Sequence, residues 1–230
     1  MAVWIAKILC SKFYIIEQQA FYSNQIIKKA TNKMLLKKSQ IPILIINILS
    51  LIIFTFFFLS RGNYEFLFYV GVIIFFLALI VLTNNKVNYP DIVLWGLTLW
   101  SILHMSGGGI IVNGKVLYSL ILFPIVGEPY LIFKYDQLVH IIGFGVATLA
   151  MYYLLEPSLK DRNKLVSLSI IIVMAGLGVG ALNEIIEFFA TVVVPSTGVG
   201  GYENTSLDLV SDLVGALIAL WYVLRRKKGK

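Results

Sequence analysis

The sequence predicts an all-α, polytopic integral membrane protein of six transmembrane helices with both termini in the cytoplasm. Three observations carry that reading. Of 230 residues, 59% are hydrophobic and 13% charged, whereas a water-soluble domain carries about a quarter charged residues. Several apolar runs approach the roughly 20 residues needed to cross a bilayer. The basic residues, finally, gather on alternate connections between those runs.

The chain divides into a basic N-terminal segment (1–40), a six-helix membrane domain (41–224) and a basic tail (225–230). Residues 1–33 lack a clean helical stripe. They read either as a cytosolic or surface-lying helix or as sequence upstream of the true start. Met34, opening MLLKKSQIPILIINILS, looks like a natural membrane-protein start, and the second reading is slightly favoured. The single cysteine, Cys10, excludes an internal disulfide framework. Its context, KILC, lacks the small residues that precede a lipid-modified cysteine, so it reads as an inert or cytosolic thiol.

The first span is expected at about 41–60, with Pro42 at a helix start, and the second at about 65–83 after the tight turn RGNY. A third covers about 90–106, where Pro90 occupies a first-turn position that tolerates it. The fourth runs over 135–155, the fifth over 165–190 and the sixth over 206–224. The run VLYSLILFPIV, 116–126, is too short to span and contains a proline, so it is expected as a hairpin, a re-entrant piece or an interfacial segment. The stretch SGGGIIVNGK before it is expected as an ordinary flexible loop, with a flap as the alternative.

Placing the N-terminus inside puts sixteen lysines and arginines on the cytoplasmic side and leaves Arg61, Lys115 and Lys134 outside. That bias sets the orientation. It also accounts for the net charge of +7 as a topology signal, so no nucleic-acid partner is expected.

With the orientation set, the ionisable residues fall into one layer, the outer third of the membrane. His104 ends span three. Asp136 and His140 open span four, one helical turn apart on one face. Glu184 and Glu187 lie in the last third of span five. Asp208 and Asp212 open span six, with Asn204 one turn earlier. Small residues continue each stripe inward: Gly143 and Ala147, Gly176 and Gly180, Gly215 and Ala219. Such residues let helix backbones approach closely in lipid, so the three stripes are expected to face one another around a pocket.

Residues 165–224 contain no lysine or arginine but five acids, Glu184, Glu187, Glu203, Asp208 and Asp212. A charged carboxylate near mid-membrane costs about 2.5–3.5 kcal/mol even on a lenient scale, and crowded acids oppose one another's ionisation. Some must be protonated, wet, paired with His104, His140 or Lys134, or bound to a cation. The bland readings are a structural hydrogen bond for Asp136–His140, an aqueous-edge position for Glu187, a helix-dipole role for Asp208 and an interfacial position for His104. The candidate catalytic set is Asp136, His140, Glu184, Glu187, Asp208 and Asp212. The candidate ligands of a divalent metal are His140, Glu184, Glu187, Asp208, Asp212 and His104. Histidine with carboxylates suits zinc, manganese or iron, and carboxylates with water suit calcium or magnesium. No HExxH, ferritin-type ExxH pair or GxSxG is present.

YDQLVHIIGFG, NEIIEF and SLDLVSDLVGAL resemble the D-x-x-x-H, E-x-x-E/Q and D-x-x-x-D/N-x-x-G series of VanZ-like membrane proteins, and more closely the uncharacterised YjdF type. The likeness covers about 90–220 and falls on Asp136, His140, Glu184, Glu187, Asp208, Asp212 and Gly215. It implies a cell-envelope role in the plasma membrane of a prokaryote. VanZ-like sequences often carry glutamine at the position of Glu187 and an arginine in the following loop; TVVVPSTGVGGYENTS has none.

The leading expectation is a site that binds or acts on an envelope lipid or lipid-linked glycan, with His140 oriented by Asp136 as general base or metal ligand. A proton- or cation-coupled transporter or binding protein, and a structural membrane protein, stand as alternatives. Composition names neither the substrate nor the oligomeric state.

Overall fold

A computed structural model describes residues 36–128, 130–158 and 165–228. The alternatives for residues 1–33, and Cys10, lie outside the described residues. Six helices run in order: α1 Ile41–Ser60, α2 Tyr64–Val87, α3 Asp91–Gly109, α4 Tyr135–Leu155, α5 Leu165–Val193 and α6 Tyr202–Lys228. Between α3 and α4 come four short strands, β1 Ile111–Val112, β2 Lys115–Val116, β3 Ile121–Val126 and β4 Ile132–Lys134.

Five of the helical segments are long and apolar enough to cross a membrane: Lys38–Ser60, Tyr64–Val87, Tyr135–Ser158, Leu165–Val193 and Tyr202–Arg226. Helix α3, 19 residues with Asp91, His104 and three terminal glycines, falls short of that measure. Large apolar side chains cover the outside; Phe56, Leu82, Val166 and Phe188 are each more than 60% exposed. A water-soluble protein rarely shows so continuous an apolar surface. The surroundings of these helices are lipid.

Local chemistry sets the helix ends. Pro42 starts α1 without loss of an intrahelical hydrogen bond. Asn63 caps α2 by accepting from the Phe66 amide at 3.1 Å. Asn88 ends α2 in the left-handed conformation at φ 58°, which asparagine tolerates better than most residues. At the start of α4, Gln137 reaches back and its Oε1 accepts from the amides of Phe133 and Lys134 at 2.8 and 2.7 Å.

Two expectations about the α3–α4 connection change. The helix does not stop before the glycines: α3 runs through Gly109, because Gly107 lies under the Tyr118 ring and Gly108 under Phe66, with no room for a Cβ. The rest of SGGGIIVNGK is an ordered two-stranded hairpin, Ile111 pairing with Val116. Asn113 and Gly114 turn it at φ 51° and 78°, the geometry that favours Asn-Gly in tight hairpins. The run 116–126 holds a 3₁₀ turn, Leu117–Ser119, and then β3, which pairs antiparallel with β4. Of the alternatives open in the sequence, the segment is a hairpin, and β3 is exposed along its length.

Three apolar clusters hold the bundle. At the hairpin end, Phe58, Phe66, Tyr69, Met105 and Ala190 join α1, α2, α3 and α5. At the opposite end, Ile43, Tyr89, Val93, Leu94 and Ala150 form a second cluster, and Tyr152, Leu168, Ile172 and Val223 a third. The most extensive helix contact is α4 against α6. Its cause is Gly215, whose Cα side meets the Ile141 carbonyl and the Gly145 amide so closely that a Cβ would not fit. Gly176 likewise receives Thr148 and Ala216. Gly143 departs from the expected arrangement: it faces Trp100 of α3 and not α5 or α6.

Candidate functional site

All the ionisable residues singled out in the sequence fall at the hairpin end of the bundle. Antiparallel connection puts the beginnings of α4 and α6 and the end of α5 at one level. Each site residue then projects from a known turn: Asp136 and His140 from the first two turns of α4, Asp208 and Asp212 from the second and third turns of α6, Glu184 and Glu187 from the last third of α5. Because α6 begins at Tyr202, four residues before the expected start, Asp208 is one turn too deep for the dipole of the helix terminus to explain it.

His140 is the hub. It is 6% exposed, and Asp208 and Asp212 are completely buried. Its Nδ1 is 2.9 Å from Asp212 Oδ1, and its Nε2 is 3.9 Å from Asp136 Oδ1. The first distance is a charge-assisted hydrogen bond; the second is too long for one. Asn204 donates through Nδ2 to Asp208 Oδ2 at 2.5 Å and to Asp136 Oδ2 at 3.3 Å, so one amide bridges α6 and α4. Asn183 donates to Glu187 Oε1 at 2.8 Å. The Phe144 ring lies against the His140 ring at 5.3 Å and walls the site from below.

Two sets of side chains bring potential ligand atoms within 4.8 Å of one another: Asp136, His140 and Asp208; and His140, Glu184 and Glu187. Both contain His140. Three buried carboxylate oxygens have no hydrogen-bond donor: Glu184 Oε1, Asp208 Oδ1 and Asp212 Oδ2. Among the described residues no lysine or arginine forms an ion pair with these acids, and the two ion pairs present both use His140. Buried acceptors in that state cost free energy until a cation, a proton or a donor reaches them. Asp212 Oδ2 also lies against Gly180, where a Cβ would displace it. The small residue on α5 is what makes room for that carboxylate.

The structure does not bring His104 to the carboxylates, contrary to its place in the candidate ligand set. Its ring stacks on Trp100 at 5.4 Å and is enclosed by Phe66, Tyr69 and Tyr118. Tyr118 Oη is 2.5 Å from its Nδ1 and donates to its carbonyl at 3.0 Å. The aromatic side chains of α2 and of the 117–119 turn fold over the end of α3, and no 3.6-residue pattern in α3 could announce them. Lys134, the other partner considered for the acids, forms no ion pair with them.

Two neighbours of the site escaped the sequence reading. Tyr69 of α2 is 5% exposed, packs against the His104 ring at 5.4 Å and has a hydroxyl with no partner. Tyr118 lies within the field of Asp136 and Glu187, and burial pushes its phenol well above the usual range, so it stays a donor. Both sit in aromatic-rich apolar runs, where a tyrosine is indistinguishable from core. Glu65 at the start of α2 accepts from the Gly198 amide at 2.7 Å and fastens the α5–α6 loop beside the site.

A protein of Thermotoga maritima, itself described as uncharacterized, is 29% identical over 100 residues, 43% of this chain and 52% of that protein. The chain thus spans about half the length of that relative. No solved structure matches the chain. Residues 41–229 match the family described as "Predicted membrane protein (DUF2238)". On a match over most of its length, with five helices fit to span a bilayer, the chain belongs to this family of multi-pass membrane proteins.

Proposed function

We propose that the His140 cluster is a divalent-cation site that faces the outside of a prokaryotic plasma membrane and binds or acts on the polar head of an envelope lipid or lipid-linked glycan. One observation carries the reading: Glu184, Asp208 and Asp212 each keep a buried, donor-less oxygen around a histidine that touches both acid groups. Structural hydrogen-bond networks leave few buried acceptors unpaired, and three carboxylate oxygens around one histidine are a concentration of them.

In this reading six spans cross the membrane, α3 crossing in the shelter of α1 and α4, and both termini are cytoplasmic. The Asp212 hydrogen bond holds the proton on Nδ1 and turns the Nε2 lone pair toward Asp136. Carboxylate-held histidines are the usual ligands of catalytic metals. Nε2 and Asp136 Oδ1, 3.9 Å apart, would have to close to roughly 3.3–3.6 Å to share one tetrahedral ion at about 2.0–2.2 Å from each. Asp136, His140 and Asp208, with Glu184 and Glu187 on the other side, would hold it. A bound divalent ion would supply Lewis-acid polarisation of a phosphoryl or carbonyl oxygen, or an acidified water. Glu187, held by Asn183, would serve proton transfer where it does not ligate the ion. The VanZ-like motifs support the same residues.

The transporter reading has less behind it. A transported ion needs polar groups along the whole path, but the polar side chains toward the far end are paired with one another: Asn47 donates to Thr98 at 2.6 Å, and Asn84 to Gln40 at 2.7 Å.

The test is elemental analysis of detergent-purified protein beside the Asp136→Ala/Glu184→Ala double variant. Near-stoichiometric zinc, manganese, calcium or magnesium, lost in the variant, is expected. No metal in the wild type after reconstitution with each of the four would overturn the cation site.

A further inference from the structure

Below the acid layer the bundle is hollow. A cavity of about 230 Å³ lies among α1, α2, α3, α4 and α5, walled almost wholly by apolar side chains. Its upper end is the floor of the site. Phe144 lines the cavity and its ring lies tilted against His140; Asn183 lines it and donates to Glu187. On α2 the lining runs from Val72 to Val81, nine steps of 1.5 Å or about 13 Å along the helix. That length and volume suit a single hydrocarbon chain. The far end is closed by Gln40, whose side chain is held by Asn84 and the Tyr89 carbonyl.

At the hairpin end α2 and α5 share an apolar cluster. There Ala190 and Ile186 reach the cluster of Phe66, Tyr69 and Ile73. Further down, α2 and α5 face each other across the cavity, lined by Val72, Phe76 and Ile80 on one side and Val179, Leu182 and Ile186 on the other. An apolar space left empty forfeits dispersion contacts on all its walls, and a gap between spanning helices is open to lipid.

We infer that this cavity is a slot for one hydrocarbon chain of a membrane lipid whose polar head reaches the His140 cluster. The inference rests on the proposed function and adds to it the substrate class: a lipid presented to the site in place, with its chain still in the membrane interior. A water-soluble headgroup alone would forgo the chain contacts. The head would carry oxygen ligands for the cation, a phosphate or vicinal hydroxyls, since bare carboxylates repel an anion without one. Leu36, the first described residue, lines the far end, so residues 1–35 of the same chain are the competing occupant.

The test is site-directed photocrosslinking in native membranes. Benzoylphenylalanine replaces Phe76, which lines the slot, or Phe75, which is 58% exposed to bulk lipid. Mass spectrometry then reads the adducts. Phe76→benzoylphenylalanine should capture one lipid class, enriched at least about fivefold over its share at Phe75, the equivalent of roughly 1 kcal/mol of selection. Adding Ala147→Phe, which narrows the slot from α4, should remove that enrichment while the elution profile of the purified protein stays unchanged. The same lipid mixture at both positions, or a cross-link to residues 1–35 or to a second copy, would overturn the slot. Selective capture by a protein that binds no metal would leave the slot standing and remove only the cation site.

Discussion

His140 and Asp212, 72 residues apart in sequence, meet at 2.9 Å in a setting where Asp212 is wholly buried. This bond fixes which nitrogen of the ring faces the remaining acids. Asp212→Asn keeps the shape and loses the charge that holds the tautomer. Its affinity for the bound cation is expected to fall about 10–100-fold, the usual cost of losing such a partner. His140→Ala is expected to abolish binding. Calorimetric titration of purified protein with zinc and manganese measures both, and equal affinities in wild type and Asp212→Asn would refute the relay.

Gly180 of α5, against the site, and Gly215 of α6, against the α4 backbone, should behave differently. Gly215→Ala drives a Cβ into the backbone of α4 and is expected to cost about 1–3 kcal/mol in stability, as overpacked interiors do. Gly180→Ala meets instead the movable Asp212 carboxylate. It should weaken cation binding with a smaller loss of stability. Thermal melts in detergent, paired with metal content, separate the two; a reversed ranking would mean that α6 is rotated from the position described.

Far from the site, Gln40, Asn84 and Tyr89 form a buried polar knot, Asn84 accepting from the Tyr89 amide at 3.1 Å and donating to Gln40 at 2.7 Å. Asn84→Ala leaves the Tyr89 amide without its acceptor and removes one of the two donors to Gln40, and is expected to cost about 1–3 kcal/mol. Metal content should not change. A melting point within error of wild type would show that water reaches the knot.

Orientation is checked with a single reporter. Glu128 lies in the turn between β3 and β4 and is exposed. In a Cys10→Ser background, Glu128→Cys should react with a membrane-impermeant maleimide added to intact cells, and Arg225→Cys only after the cells are opened. The opposite pattern would place the His140 cluster on the cytoplasmic side and exclude an outward-facing site.

Much of this protein is written locally. Apolar run length marks the six helices; α1 is 41–60 and α4 135–155, as read directly from the chain, while α2, α3, α5 and α6 extend up to four residues past the expected ends. The spacing Asp136–His140, Glu184–Glu187 and Asp208–Asp212 assigns these side chains to helix faces, and antiparallel connection brings their levels together. These properties need only a helical period and a count of residues. What the sequence could not show depends on how helices are rotated and on what folds over their ends. The same i, i+4 spacing that suggested an Asp136–His140 pair left open that His140 would hydrogen-bond to Asp212 across two helices. His104 had the composition of a ligand, but aromatic side chains from α2 and from the 117–119 turn enclose it. The hollow between α2 and α5 leaves no mark on either helix, because a residue lining a cavity and a residue facing lipid are chosen for the same apolarity. Only the packing of α1 to α5 around it makes it a place where a chain could lie.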